Sequence, residues 1–158
     1  MLRSAFRPVQ SEYYTVIYDN TVVYNSQDNS ESKSKKSREW TDITTMYVML
    51  QYKRWQIKDR KNTSLHLFHQ QCVDNLMTNM GVSKTPTQIR DKVNNTRSSY
   101  HSILKQINKG NFQWTQEKHA SLSKNVFEFM CEFFENKKIV TIDQIDDRIN
   151  DIITSSKN

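Results

Sequence analysis

Glycine, proline and cysteine each occur only twice in these 158 residues, and the apolar runs are short. With two glycines there is no Gly-rich loop to cradle phosphates, and no nucleophile elbow or paired-cysteine motif is present. An enzyme is therefore not expected, nor a cofactor, nor a small-molecule substrate. No window of about 18 apolar residues exists to cross a membrane as a helix. The opening residues, MLRSAFRPVQ, lack the apolar run of a secretory signal. Cys72 and Cys131 stand among apolar residues in helix-like segments, and read as buried free thiols in a reducing compartment, not as a disulfide framework. The hydrophobic fraction of 35 % is low, enough for one domain with a modest core.

Positive charge is plentiful and unevenly spread. The net charge of +6 comes from 23 Lys and Arg against 17 Asp and Glu. Up to residue 116 the count is 17 basic against 9 acidic residues, and from Glu117 onward it is 6 against 8. That asymmetry predicts a body facing a polyanion and a more neutral C-terminal support. A lysine-rich surface that only keeps the chain soluble is the alternative.

Along the chain, residues 1–24 form an extension in which YYTVIYDNTVVY (13–24) has the β-branched and aromatic runs of a hairpin around Asp19-Asn20. Two strands alone are marginal in water, so a hairpin there needs the helical body or a partner to lie on. Residues 25–38 are a polar linker holding the basic cluster Lys33, Lys35, Lys36 and Arg38. The cluster reads as a nuclear localisation signal or a phosphate-contacting arm, with a plain solvated linker as the other reading.

From residue 39 to 153 the pattern is helical. Trp40, Ile43, Tyr47 and Leu50 make the stripe of a first helix that runs to about Arg60. A second covers 64–80, with Leu65, Phe68, Cys72, Val73, Leu76 and Met77 inward, a Ser64 or Thr63 cap, and Gly81 as its stop. The third, 85–108, has Thr85 as cap, Pro86 in the first position and Gln88 completing a capping box. Its core stripe is Ile89, Val93, Thr96, Tyr100, Ile103 and Ile107. A fourth is expected over 116–136 and a fifth, capped by Thr141, over 142–153, with 154–158 a disordered tail. The fold class is all-α.

The third helix carries the functional expectation. Opposite its core stripe stand Thr87, Asp91, Asn94, Asn95, Ser98 and Ser102, flanked by Arg90, Lys92, Arg97 and His101. Amides read adenine edges, arginines read guanine edges, and lysines and hydroxyls hold phosphates. A basic helix of this composition, third in a three-helix unit, suits a major groove. Arg90 and Asn94, one turn apart near its start, are the candidates for reading bases. Lys84, Thr87, Asn95, Arg97, Ser98 and His101 complete that surface. Lys53, Arg60 and Lys61, in the basic stretch KRWQIKDRK (53–61), are candidates for phosphate contacts, as are Lys35 and Lys36. Trp55 departs from the first helix's stripe and is left open between packing on the hairpin and packing on a partner.

His66, His69 and Cys72 lie three residues apart on the second helix. A structural zinc site wants a fourth ligand, so the preferred reading has Cys72 in the core with histidines at its edge and no metal.

The order EWT (39–41), TPTQIRDKVNNTRSSY (85–100) and KGNFQWTQE (109–117) resembles the Myb/SANT-like domains of the trihelix kind. Trp40-Thr41 fits the family's opening pair. Gln88, Ile89, Val93, Thr96 and Tyr100 fit its third helix, with Val93 where a tryptophan is usual. Gly110, Phe112 and Trp114 fit its closing G-x-F-x-W element. The resemblance implies a three-helix, homeobox-like bundle extended by one or two C-terminal helices. It also implies a nuclear protein that binds double-stranded DNA together with a partner in a transcription or chromatin assembly. The alternative it leaves open is an accessory subunit that binds histone or another protein. Gly110 is expected to end the third helix, and Phe112 and Trp114 to fold back and clamp the fourth.

Overall fold

The computed structural model describes residues 39–110, 114 and 122–157. The hairpin, the linker with Lys35 and Lys36, and Phe112 lie outside the described residues. Among the described residues the protein is all-helical: α1 (Asp42–Arg54), α2 (Leu65–Met80), α3 (Pro86–Asn108), α4 (Lys124–Phe134) and α5 (Ile142–Ser156).

At the centre is α1, which touches every other helix. Thr41 opens it with a reciprocal cap: its hydroxyl accepts from the Thr44 amide at 3.1 Å, and the Thr44 hydroxyl accepts from the Thr41 amide at 3.0 Å. The sequence predicts one apolar stripe, but Thr44, Thr45, Tyr47, Val48, Met49, Leu50 and Tyr52 are all buried, while Ile43 at the edge of the stripe is exposed. A helix buried on nearly every side needs apolar or hydrogen-bonded residues all round, and TTMYVML supplies them. After Arg54 the chain widens into a π-helical turn, Trp55–Asp59. Trp55, the first residue of that turn, is buried in the helical core, whereas the sequence leaves it between the hairpin and a partner. Its Nε1 donates to the Thr63 carbonyl at 2.9 Å, and its ring lies 5.8 Å from both Tyr52 and Phe68.

The Ser64 hydroxyl caps α2 at the Leu67 amide, and Gly81 stops it in the left-handed conformation at φ 66°. Phe68, Cys72 and Leu76 are buried and Val73 is partly buried, but Leu65 and Met77, expected inward, are exposed: they flank the narrower stripe that faces the core. At the start of α3 the expected Thr85–Gln88 capping box forms, with Pro86 in its first turn. Ile89, Val93, Thr96, Tyr100 and Ile103 are buried, but Ile107 is exposed because the last turn of α3 runs past the core. Gly110 follows at φ 77°, the left-handed turn that takes the chain off the helix.

The fourth and fifth helices differ from expectation at their ends. Ser123 caps α4 by accepting from the Val126 amide, so within the described residues the helix begins at Lys124, with Leu122 a buried bend before it. Helix α5 continues through Ser156, so residues 154–156, expected in a disordered tail, are helical. Trp114 packs edge-to-face on Phe127, ring centroids 5.4 Å apart, which is the expected clamp on the fourth helix. Cys72 is fully buried, and burial pushes its thiol up to about 12. Cys131, expected to be buried, is only half-buried on α4.

Candidate nucleic-acid interface

The surface of α3 is less open than its sequence suggests. Asp91 is 2 % exposed and Asn94 9 %, so neither is the free surface group expected of it. Burying a short polar side chain is tolerable only with hydrogen bonds, and Asp91 has one within reach. The Arg90 guanidinium donates to its carboxylate at 3.1–3.2 Å. Arg90 is thus turned along its own helix toward a neighbouring side chain. Asn95 and Ser98 are half-buried, and Thr87 is exposed at the first turn.

Lys84 is also buried, at 5 % exposure, with its ammonium 4.7 Å from the centre of the Trp40 ring. Lys92 lies 5.7 Å from the same ring. Burial, and then the charge of Lys84, push the Lys92 ammonium down to about 8, with Asp42 acting the other way. Trp40, the opening residue of the resemblance, is the aromatic floor under two lysines.

A different side of α3 gathers positive charge. Arg90, Asn94, Arg97, His101 and Lys105 recur at intervals of three and four, which places them on one side of the helix. At the middle of that row Arg97 is held by Tyr52: Nη1 donates to the Tyr52 hydroxyl at 2.9 Å, and the guanidinium lies over the ring at 5.3 Å. Beside it, Lys53 of α1 sits over the Phe134 ring at 4.9 Å. Burial and the nearby Arg97 lower the Lys53 pKa. Burial, then Arg97, then Lys105 lower that of His101. The charges felt by Lys53 and His101 are therefore positive, and the four residues form one basic track.

Of the other phosphate candidates, Arg60 and Lys61 are exposed beyond the π-helical turn, Arg60 with its guanidinium 5.9 Å from the Trp55 ring. Lys105 of the track, and Tyr52 that supports it, escaped the sequence reading. Lys105 follows His101 by one turn, so the row itself signals it. Tyr52 precedes Arg97 by 45 residues, and no local pattern connects them.

His69 is buried at the edge of the core, with its ring 5.6 Å from Phe68. Burial, followed by the charges of Arg90 and His66, pushes it down to about 4. Cys72 lies deeper, as expected of a core thiol.

Compared with family models, with curated proteins and with solved structures, the chain finds no match. The resemblance to Myb/SANT-like domains rests on the residues that carry it.

Proposed function

We propose that this chain is a non-catalytic module that binds double-stranded DNA, with α1–α3 as a Myb/SANT-like three-helix unit and α4 and α5 as its support. The observation that carries the proposal is the basic track of Lys53, Arg97, His101 and Lys105 along one side of α3. The positive charges of Lys53, Arg97 and Lys105, held this close, repel one another, while His101, its pKa lowered, adds a neutral donor at physiological pH; a polyanion is the ligand that relieves the repulsion. Tyr52 supports the reading because it fixes the Arg97 guanidinium in place before any ligand arrives.

Entry of α3 into a major groove would use its exposed first turn at Thr87 and the Arg97 side. Arg90 is engaged with Asp91, and Asn94 is buried, so base reading by this pair is weak and phosphate contacts dominate. Such a protein binds many sequences and suits an accessory role, bringing a partner in a nuclear assembly to DNA. The burial of Asp91 and Asn94 favours that role over that of a sequence-specific regulator.

The test is a gel-shift titration of random duplex DNA against salt. About four phosphates neutralised gives a log–log slope of roughly −3.6. Absence of binding at low salt, or a flat salt response, rejects the proposal.

A further inference from the structure

A cleft of about 240 Å³ lies between α1, α2 and α5, with the π-helical turn along one edge. Its apolar walls are the rings of Tyr47, Trp55 and Phe68 and the side chain of Ile149, and its polar lining includes Gln51, Arg54, Asp59 and Asp146. Tyr47, Gln51 and Arg54 recur at four and three residues on one side of α1. Lys53 points from another side, so the cleft is separate from the basic track.

The polar lining forms a chain of hydrogen bonds that ends unsatisfied. Asn79 Nδ2 donates to the Tyr47 hydroxyl at 2.6 Å, and Asn75 Nδ2 donates to Gln51 Oε1 at 2.7 Å. Gln51 Nε2 is buried and has no hydrogen-bond partner among the described residues. A buried N–H without an acceptor is unfavourable, so the site is completed by a group that brings one. Across the cleft, Arg54 donates to Asp146 at 2.9 Å and lies 3.8 Å from Asp59. One cation between two carboxylates leaves the cleft with one net negative charge.

We propose that this cleft binds the side chain and adjoining peptide group of a basic residue, a lysine or arginine, presented by a partner protein. The peptide carbonyl would accept from Gln51 Nε2. The alkyl stem would lie on Trp55 and Phe68, and the cationic head would reach the Asp59–Asp146 pair. The volume agrees with one long side chain and is below the range of about 300–1,000 Å³ common for larger small-molecule ligands. Because Lys53, Arg97 and Lys105 take no part, the proposal stands or falls independently of DNA binding.

The experiment is an NMR titration of the full chain, followed at the Gln51 and Asn75 side-chain amides and the Trp55 indole. The probes are Nα-acetyl-arginine amide, its uncharged analogue Nα-acetyl-norleucine amide, and a short arginine-bearing peptide. The arginine probe is expected to shift the Gln51 amide with a dissociation constant in the millimolar range, about the strength of a few kcal/mol. The longer peptide is expected to bind more tightly than the single residue. Gln51→Leu, which keeps the size and removes the donor, is expected to weaken binding about tenfold. Asp146→Asn is expected to weaken the arginine probe and not the norleucine probe. No shift at Gln51 up to about 20 mM probe, a concentration well above a millimolar constant, would show a cleft that holds only water. Equal binding of the charged and uncharged probes would overturn the cationic class. Equal binding by free residue and peptide would overturn the protein source. If Gln51→Leu does not fold, the wild-type shifts at Gln51 decide the matter.

Discussion

Replacing Lys92 by methionine should stabilise this protein at neutral pH. Lys92 is held at about 8 in the folded chain, against 10.5 for a free lysine, because burial and the ammonium of Lys84 disfavour its charge. A shift of that size corresponds to about 3 kcal/mol of differential interaction at about 1.4 kcal/mol per pKa unit. The Trp40 ring beneath it, 5.7 Å away, returns about 1 kcal/mol as a cation–π contact. Methionine keeps the length of the stem and removes the charge, so Lys92→Met should raise the unfolding free energy by about 1–2 kcal/mol at pH 7. The sign with pH follows from proton counting. Between about 8 and 10.5 the unfolded chain binds a proton at Lys92 that the folded chain does not, so wild-type stability gains from this residue as pH rises. Cys72, pushed up to about 12, acts in the opposite sense above pH 9, and for that reason the variant must be compared with the wild type at each pH. Urea unfolding at pH 7, 8, 9 and 10 should show the advantage of Lys92→Met shrinking toward zero. A variant less stable than wild type at pH 7, or a difference that does not change with pH, would refute the reasoning. DNA affinity should be unchanged, because Lys92 lies away from the Arg97 side of α3.

Other substitutions separate binding from folding. Arg97→Ala or Lys105→Ala should each make the salt slope about one unit shallower and weaken all duplexes alike, as read by gel shift; a loss confined to one sequence would instead mean base reading. Tyr52→Phe, which removes the hydroxyl that accepts from Arg97, should weaken DNA binding a few-fold with a stability loss of about 1 kcal/mol, and unchanged binding would show that Arg97 needs no such support. Trp55→Phe should lose about 1–2 kcal/mol in urea unfolding, since the ring packing largely survives but the Thr63 carbonyl loses its donor. His69, held near 4, favours the folded state above pH 6.5; as pH falls from there toward 4 its protonation should remove about 1–2 kcal/mol, the full shift being reduced for solvent screening. His69→Gln should flatten that acid limb.

The helices were legible because their signals are local. Thr85, Pro86 and Gln88 mark the start of α3 within four residues, and Gly81 marks the end of α2 at a single position. Even the clamp of Trp114 on Phe127 could be anticipated, since a glycine turn beside two aromatics has few ways to bury them. Helix α1 was harder. Its periodicity showed one buried stripe, whereas its surroundings are set by α2, α3, α4 and α5 together, and a central helix leaves no polar side to define the pattern. Trp55 was hard to read for a related reason: it lies off the narrow stripe of Trp40, Tyr47 and Leu50, and its partners Tyr52, Phe68 and the Thr63 carbonyl are assembled by the turn and the second helix, not by the periodicity of the first.

The candidate site was legible only as a composition. Periodicity assigns Asp91 and Asn94 to the side opposite Ile89 and Val93, and that assignment is geometrically correct. It does not reveal whether anything covers the opposite side, and both residues are buried. The basic residues follow another logic. Arg97, His101 and Lys105 keep their relation along one helix whatever packs around it, and the addition of Lys53 and Tyr52 depends only on α1 crossing nearby. Burial therefore removes the amide most suited to reading adenine and leaves the charges suited to holding phosphate. Phosphate contacts carry no sequence information. On the proposed DNA-binding reading, a protein with this distribution would gain specificity from whatever accompanies it on DNA, and the peptide site proposed at Gln51, on another side of α1, would be a place for that companion to attach.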